Sequence, residues 1–344
     1  MELNMQYVYQ VYQDGSFTKA AEKLFLTQPA LSMAVRQEEK ILGAALFDRS
    51  RRPLALTPAG EAYIRAAERV KYLEADLGRE LEDLRDVRTG RLHVGGTHYL
   101  NCFLLAELLA GFSRQYPGIQ LEVSEDSSVR LARRLERREM DLIFSCDPQL
   151  IGRFEHQPAF YDHILLAVPK GADLPEGLAH CAMSSKDVQN GRHLSPSQPK
   201  VPLKSFRKLE FILLQKGNNL YDRSARMFEE AGFTPRVKLA LSQLVTAYRF
   251  AGSGVGAAFV SDRIIQKAPS QNLMFYSIDS PEVDRLFYTL MPQRNYTAHA
   301  VKAFITYALE QIGTRDNLAG RNETQINSCF GSPCGTNPAG TENR

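Results

Sequence analysis

The chain has 344 residues, 44% of them hydrophobic and 24% charged, with a formal net charge of +3. That length accommodates two or three domains with real cores, and the small charge excess does not mark nucleic-acid binding globally, so any basic surface must be local. No apolar run approaches a membrane span, Met1 to Tyr12 reads as an amphipathic helix rather than a signal peptide, and the five cysteines show no CxxC or metal-ligand spacing. A bacterial-type cytoplasmic protein in a reducing compartment is expected, with no membrane partner, no metal and no bound cofactor.

In that first helix Leu3, Tyr7, Val8, Val11 and Tyr12 share one side. Thr18 then caps a short helix through Leu24, the small Ala20 and Ala21 let a neighbour pack closely, and Phe25 to Thr27 make a turn. Thr27 caps the next helix, whose first turn tolerates Pro29 because its amides lack helical partners. Leu31, Val35 and Leu42 fall on an apolar stripe, while Gln28, Ser32, Met33 and Arg36 fall on another face at spacings of three or four. Gln28 has the amide geometry to pair with an adenine edge, Ser32 suits base or phosphate, and Arg36 suits phosphate or guanine. Alone, a solvated helix face explains that row equally well. Arg49, Arg51 and Arg52, clustered in one short loop before Leu54, Ala55 and Leu56, tilt the reading toward a phosphate backbone. Two short helices, a longer one and a basic hairpin make a winged helix-turn-helix.

Thr57 and Pro58 form a cap and first-turn pair, and Ala59 to Arg88 reads as one long helix without an internal proline. Tyr63, Ala66, Val70, Leu73, Leu77, Leu84 and Val87 recur at spacings of three and four, and such a stripe wants a partner helix, most simply a second copy. The competing reading packs the stripe within its own chain. Tyr63, Val70, Leu73, Leu77 and Leu84 are the candidate dimerisation residues of a homodimer or homotetramer.

After Gly90 the pattern alternates. Leu92 and Val94 suggest a strand, Gly95 to Tyr99 a loop into a helix, Ile119 to Val123 a second strand, and Leu142 to Phe144 a third, a βαβαβ order that implies a parallel sheet with helices on its faces. A second α/β unit follows the strand Ile164 to Val168. It has strands at Phe211 to Leu214 and Val237 to Leu241, Asn218 and Asn219 leading a helix, Ser242 capping another, and an apolar run from Val255 to Val260. Leu286 to Met291 returns to the first sheet and Ala300 to Ile312 closes the unit. Two lobes joined by crossing strands enclose a cleft, and ligands of such sheets sit beyond the carboxyl ends of the strands.

The order and spacing of Ala20 to Ser32 and Leu46 to Gly60 resemble the signature AAExLxxTQPALS and LFxRxxRxxxLTxAG of the LysR-type transcriptional regulators, and Glu229 to Val260 continues the likeness. The resemblance covers roughly residues 1 to 312. It implies an N-terminal, mostly α-helical winged helix-turn-helix (1–58), a linker and dimerisation helix (59–89), and a C-terminal α/β two-lobed, periplasmic-binding-protein-like effector domain (90–312). Lobe I spans about 90–168 and 266–312, lobe II about 169–265. The implied function is sequence-specific binding of double-stranded promoter DNA, modulated by a small polar or anionic effector, with RNA polymerase as a further partner. Thr27, Gln28, Pro29, Ser32, Met33, Arg36, Arg49, Arg51 and Arg52 are the implied DNA-binding residues. Thr97, His98, Tyr99, Ser127, Ser128, Asn218, Asn219 and Ser242 are the implied effector-binding residues, although helix capping alone accounts for each of them singly.

Four places depart from that pattern or lie outside it. Met33 stands where the family carries a basic or polar reader, and Glu38 where a core leucine is common; Glu38 is expected at the rim, reaching Arg36, Lys40 or solvent. The polar stretch between Ala182 and Phe206 reads as a mobile loop or a lid over the cleft. Residues 313–344 read as a disordered tail containing Cys329 and Cys334. Cys102 and Cys146 read as buried structural cysteines, with a thiol sensor as the alternative. No GxSxG, P-loop or HExxH is present, so no catalytic residue is assigned and an enzyme is not expected. A solute-binding protein and an architectural DNA-binding protein without effector control are the rival readings.

Overall fold

The computed structural model describes residues 1–51, 53–85 and 89–318. Arg52, Val87 and the segment from residue 319 onward, with Cys329 and Cys334, lie outside the described residues. The chain divides into two compact units, Met1–Val87 with Arg294–Ala298, and Arg88–Gln293 with the remainder.

The first unit contains α1 (Leu3–Asp14), α2 (Phe17–Lys23), α3 (Gln28–Leu42), a wing of β1 (Phe47–Asp48) and β2 (Ala55–Leu56), and the long α4 (Pro58–Arg85). Ser16, not Thr18, caps α2, its side chain accepting the Lys19 amide, because Phe17 is already helical and its ring packs edge-on against Phe47. Thr27 caps α3 through the Ala30 amide. Val8, Val11, Ala20, Ala21, Leu31, Val35, Leu46, Phe47 and Ile64 form the core, whereas Leu42, expected on that stripe, is exposed. Where α4 passes the wing only glycine fits, since a Cβ at Gly60 would stand 2.0 Å from the Leu46 carbonyl oxygen.

The expected stripe on α4 divides along its length. Its first turns belong to the head: Ile64 and Ala67 are buried, and Tyr63 packs on the core and donates its hydroxyl to Glu38 at 2.8 Å. Within this chain Tyr63 thus serves the head, and Tyr63 rather than Arg36 or Lys40 satisfies Glu38. Burial and the Glu38 carboxylate both hold the Tyr63 phenol well above its ordinary pKa. Val70 is half-buried, while Leu73, Leu77, Leu81 and Leu84 remain exposed. On another face, Asp76 accepts the Asn295 amide at 3.0 Å and Asp83 the Tyr296 hydroxyl at 2.7 Å. Those bonds bring Arg294–Ala298 into the first unit rather than into lobe I.

The second unit contains β3 (Gly90–Gly96), α5 (His98–Leu100), which runs through a π-helical turn at Asn101–Leu105 into α6 (Ala106–Gln115), then β4 (Ile119–Glu125), α7 (Ser128–Glu136), β5 (Leu142–Ser145), α8 (Pro148–Ile151) and β6 (Glu155–Pro169). After these come α9 (Ser185–Gln189), β7 (Glu210–Leu214), α10 (Asn219–Glu230), β8 (Arg236–Leu241), α11 (Leu244–Gly252), β9 (Ala257–Ser261), α12 (Asp262–Lys267), β10 (Leu273–Ser277), β11 (Asp284–Met291) and α13 (His299–Leu318). The strand order is β4-β3-β5-β11-β6-β9-β7-β8, with β10 also on β6. Pairs β3/β4, β3/β5, β7/β8 and β7/β9 are parallel, as the βαβ pattern requires.

Strand β6 serves both lobes. Up to His163 it pairs with β11, and from Ile164 onward with β9 and β10. Because β10 lies in the second lobe, the expected return to lobe I near residue 266 is corrected: the chain crosses back only at Asp284. The segment between Ala182 and Phe206 is neither a loose loop nor a lid. Ser184 and Asp187 cap α9 reciprocally, Met183 bridges to Phe275 and Val201 to Ile278, and Val188, Val201, Leu203 and Phe206 are buried. His193 anchors it further, bonding Asp262 at 3.1 Å with both side chains fully buried.

Candidate DNA-reading surface and effector cavity

On α3 the core side and the outer side separate cleanly. Leu31 and Val35 are 0% exposed, whereas Gln28, Pro29, Arg36 and Met33 are exposed, Ser32 is half-buried, and Thr27 spends its hydroxyl on the cap. The wing arginines differ from one another. Arg49 bonds Glu39 at 3.0 Å and lies 5.1 Å from the Phe17 ring centroid, while Glu39 also accepts the Leu46 amide at 2.8 Å. Arg49 thereby fixes the wing against α3. Arg51 is the freer cation, with a side chain 73% exposed and a single surface pair to Asp48 at 3.1 Å, a pair of little stabilising value.

The eight positions implied for effector contact share one cavity of about 240 Å³. Its lining follows the carboxyl ends of the parallel strands: Thr97 to Leu100 after β3, Asp126 to Ser128 after β4, Phe144 to Asp147 at the end of β5, Gln215 to Leu220 after β7, and Ser242 to Leu244 after β8. Glycine at the end of β3 lets the following helix close in, because a Cβ on Gly96 would meet Asn101 Oδ1 at 2.1 Å.

Capping accounts for only some of the polar groups. Ser127 and Asn218 do cap, accepting the Arg130 amide at 3.4 Å and the Leu220 amide at 2.9 Å. Thr97 occupies a cap position without using its side chain, and the cap of α11 is Gln243, not Ser242, again without a side-chain bond. Asn219 accepts the Cys146 thiol at 3.3 Å and Arg223 Nε at 3.1 Å. His98 turns Nδ1 toward Glu125 at 3.2 Å and Nε2 toward Cys102 at 3.7 Å.

Tyr99 offers the cavity only its ring. Its hydroxyl is buried between Asp162 and Ser261, 2.8 Å from the serine oxygen, and burial together with the Asp162 charge keeps the phenol protonated. Arg285, on β11, also lines the cavity and pairs with Asp162, with Nε 2.8 Å from the carboxylate. Burial is the largest influence and opposes its charge, but its neighbours, Asp162 foremost, together outweigh burial and hold the guanidinium protonated. Cys146 lines the cavity as well, its thiol pushed up by burial, whereas Cys102 is exposed rather than buried. Arg285 escapes sequence reasoning because it sits in an apolar strand, where alternation carries no functional signal, and Cys146 is legible there as a buried cysteine but not as part of the cavity. Among the described residues no His, Cys, Asp and Glu group is arranged to hold a metal ion, and no helix is long and apolar enough to cross a membrane.

Residues 3–61 match the family profile described as bacterial regulatory helix-turn-helix protein, lysR family, and residues 85–313 match the LysR substrate binding domain. The chain is 28% identical over 310 residues to the uncharacterized HTH-type transcriptional regulator YcgK of Bacillus subtilis strain 168, covering 90% of this chain and 94% of that one. It is 28% identical over 313 residues to a probable RuBisCO transcriptional regulator of Synechocystis sp. strain PCC 6803, covering 88% and 84%. Among solved structures, full-length CbnR in complex with its target DNA aligns with a TM-score of 0.52 at 19% identity, covering 90% of this chain and 98% of that one. A full-length OxyR variant from Pseudomonas aeruginosa aligns at 0.56 and 19%, covering 89% and 96%. These structural likenesses show the fold.

Proposed function

The chain belongs to the LysR family of transcriptional regulators, and from that premise we propose that it is a homo-oligomeric regulator whose promoter binding or activation responds to a small polar or anionic effector in the interlobe cavity. The observation that carries the DNA-reading half is α3 itself, which buries Leu31 and Val35 and presents Gln28, Met33 and Arg36 to solvent. Gln28 at the start of the helix reads an adenine edge, Met33 offers its apolar end to a thymine methyl, and Arg36 and Arg51 take phosphate.

Support for self-association is the exposed row Leu73, Leu77, Leu81 and Leu84 on α4. A second copy covers that row, and two heads at a fixed separation read two half-sites. RNA polymerase is the further partner such a regulator addresses at a promoter. Support for effector control is the cavity, where unspent side chains of Thr97, Ser242 and Gln243 meet the starts of several helices. A closing or opening of the lobes around a ligand shifts the population of head arrangements.

Genome-wide mapping of DNA bound by the full chain tests this reading. Enrichment at a limited set of promoters sharing a two-half-site sequence is expected; binding spread evenly over the genome would sink it.

A further inference from the structure

Arg285 is 4% exposed, yet its guanidinium is only partly engaged. Nε and Nη2 both donate to Oδ2 of Asp162, a fully buried residue on β6. Nη1 has no hydrogen-bond partner among the described residues and is not fully buried, and Arg285 lines the cavity. The other oxygen of Asp162 accepts the Tyr99 and Ser261 hydroxyls. Tyr99 follows the first strand of one lobe and Ser261 ends a strand of the other, so a single carboxylate ties the buried Arg285 to both lobes, whereas Lys216, the lysine of the lining, is exposed.

The surroundings narrow what that free edge receives. Leu100, Phe144, Leu244 and Phe287 give the cavity apolar walls. The two acidic residues of the lining are occupied at their own helix starts, Asp126 by the Ser127 amide at 2.7 Å and Asp147 by the Gln149 amide at 2.9 Å. A planar guanidinium edge matches a planar carboxylate, and apolar walls match the body behind it.

We propose that Arg285 is the specificity-determining residue of the cavity, receiving the carboxylate of a small organic acid with an apolar body, and that Asp162 competes with this carboxylate for the same guanidinium. The proposal rests on the cavity's being the effector site. It also explains how occupancy reaches the lobes: a ligand that draws Arg285 away from Asp162 alters the carboxylate that holds Tyr99 and Ser261.

Titration calorimetry on the full chain tests it, with benzoate as the probe and benzamide and inorganic phosphate as controls. Asp162→Asn removes the competing charge while keeping an acceptor for Arg285, and an Asp162→Asn, Arg285→Gln double variant replaces the pair by neutral groups of similar shape. Benzoate is expected to bind Asp162→Asn about tenfold more tightly than the wild type and to lose binding to the double variant, with benzamide unchanged across the three and phosphate weak. A residue that only supported the fold would weaken binding in both variants. The proposal is overturned if Asp162→Asn binds benzoate no more tightly, if the double variant retains it, if benzamide or phosphate follows benzoate, or if benzoate binds none of the proteins. If Asp162→Asn does not give a cooperative melt by circular dichroism, Arg285→Lys decides instead: its ammonium keeps the charge without the fork, and benzoate binding within twofold of the wild type would overturn the assignment. Sequence-selective DNA binding by the wild-type chain, measured without ligand, stands or falls independently, so failure here is distinguishable from failure of the regulator reading.

Discussion

The proposed DNA-reading face and the cavity both present candidate contact side chains, but they hold them in opposite ways. On α3 the proposed readers Gln28, Met33 and Arg36 are exposed, and the packing beneath them comes from Leu31 and Val35. In the cavity, Tyr99, Asn219 and Arg285 carry hydrogen bonds that fix the unit internally. Reading a stiff duplex calls for free groups on a rigid support, whereas responding to a ligand calls for groups whose existing bonds can be exchanged. Substitutions should therefore separate the two regions: changes to the exposed side chains of α3 alter recognition with the fold intact, and changes at the cavity floor alter the fold first.

The largest expected effect is at the floor. Asp162→Ala leaves the buried Arg285 charge uncompensated and is expected to cost about 3–5 kcal/mol in urea unfolding of the full chain; a loss under about 1 kcal/mol would show that the lobes do not depend on this pair. Next is the exposed face of α4, where Leu77→Asp places a charge in the proposed helix pair. Sedimentation velocity should show a shift toward monomer, corresponding to at least about 2 kcal/mol of association energy, and an unchanged oligomer would assign that face to another role. Removing the cap of the reading helix with Thr27→Ala should lower stability by about 1 kcal/mol, and operator affinity should fall with it, since the helix start carries Gln28.

The smallest effect concerns acid. The hydrogen bond from His163 holds the Asp284 carboxyl below its ordinary value, with burial opposing. A depressed folded value stabilises above the unfolded pKa, and that contribution disappears as pH falls through the folded value. With its side chain 53% exposed, Asp284 is screened, so Asp284→Asn is expected to cost under about 1 kcal/mol at neutral pH. The two melting curves should converge as the pH falls through the depressed folded value, and a gap that stays constant through acid pH would contradict the pairing.

The head was the more legible region because its signals are local. Thr27 before a helix and arginines in a short loop each act within a few residues, so α3 and the wing follow from spacing. The misplaced caps, Thr18 for Ser16 and Ser242 for Gln243, differ by one or two residues, where several cap-forming types compete. The rim of the cavity was legible because polar residues follow strand ends. Its floor was not, since Asp162 and Arg285 lie inside alternating strands and meet only through the crossing of β6 and β11. Nor does periodicity distinguish a leucine stripe facing solvent from a tyrosine turned inward, which is why Tyr63 and Leu77 looked alike.

The most direct measurement is the binding of the wild type, Gln28→Ala and Arg51→Ala to the strongest mapped site and to a scrambled duplex, across a range of salt. The wild type is expected to prefer the mapped site by about 10³-fold or more. Gln28→Ala should lose roughly 1–3 kcal/mol of that discrimination with little change on scrambled DNA, and Arg51→Ala should weaken both duplexes and reduce the salt slope by about 1. Equal wild-type affinity for the two duplexes, or equal losses on both by the two variants, would contradict a sequence-reading α3.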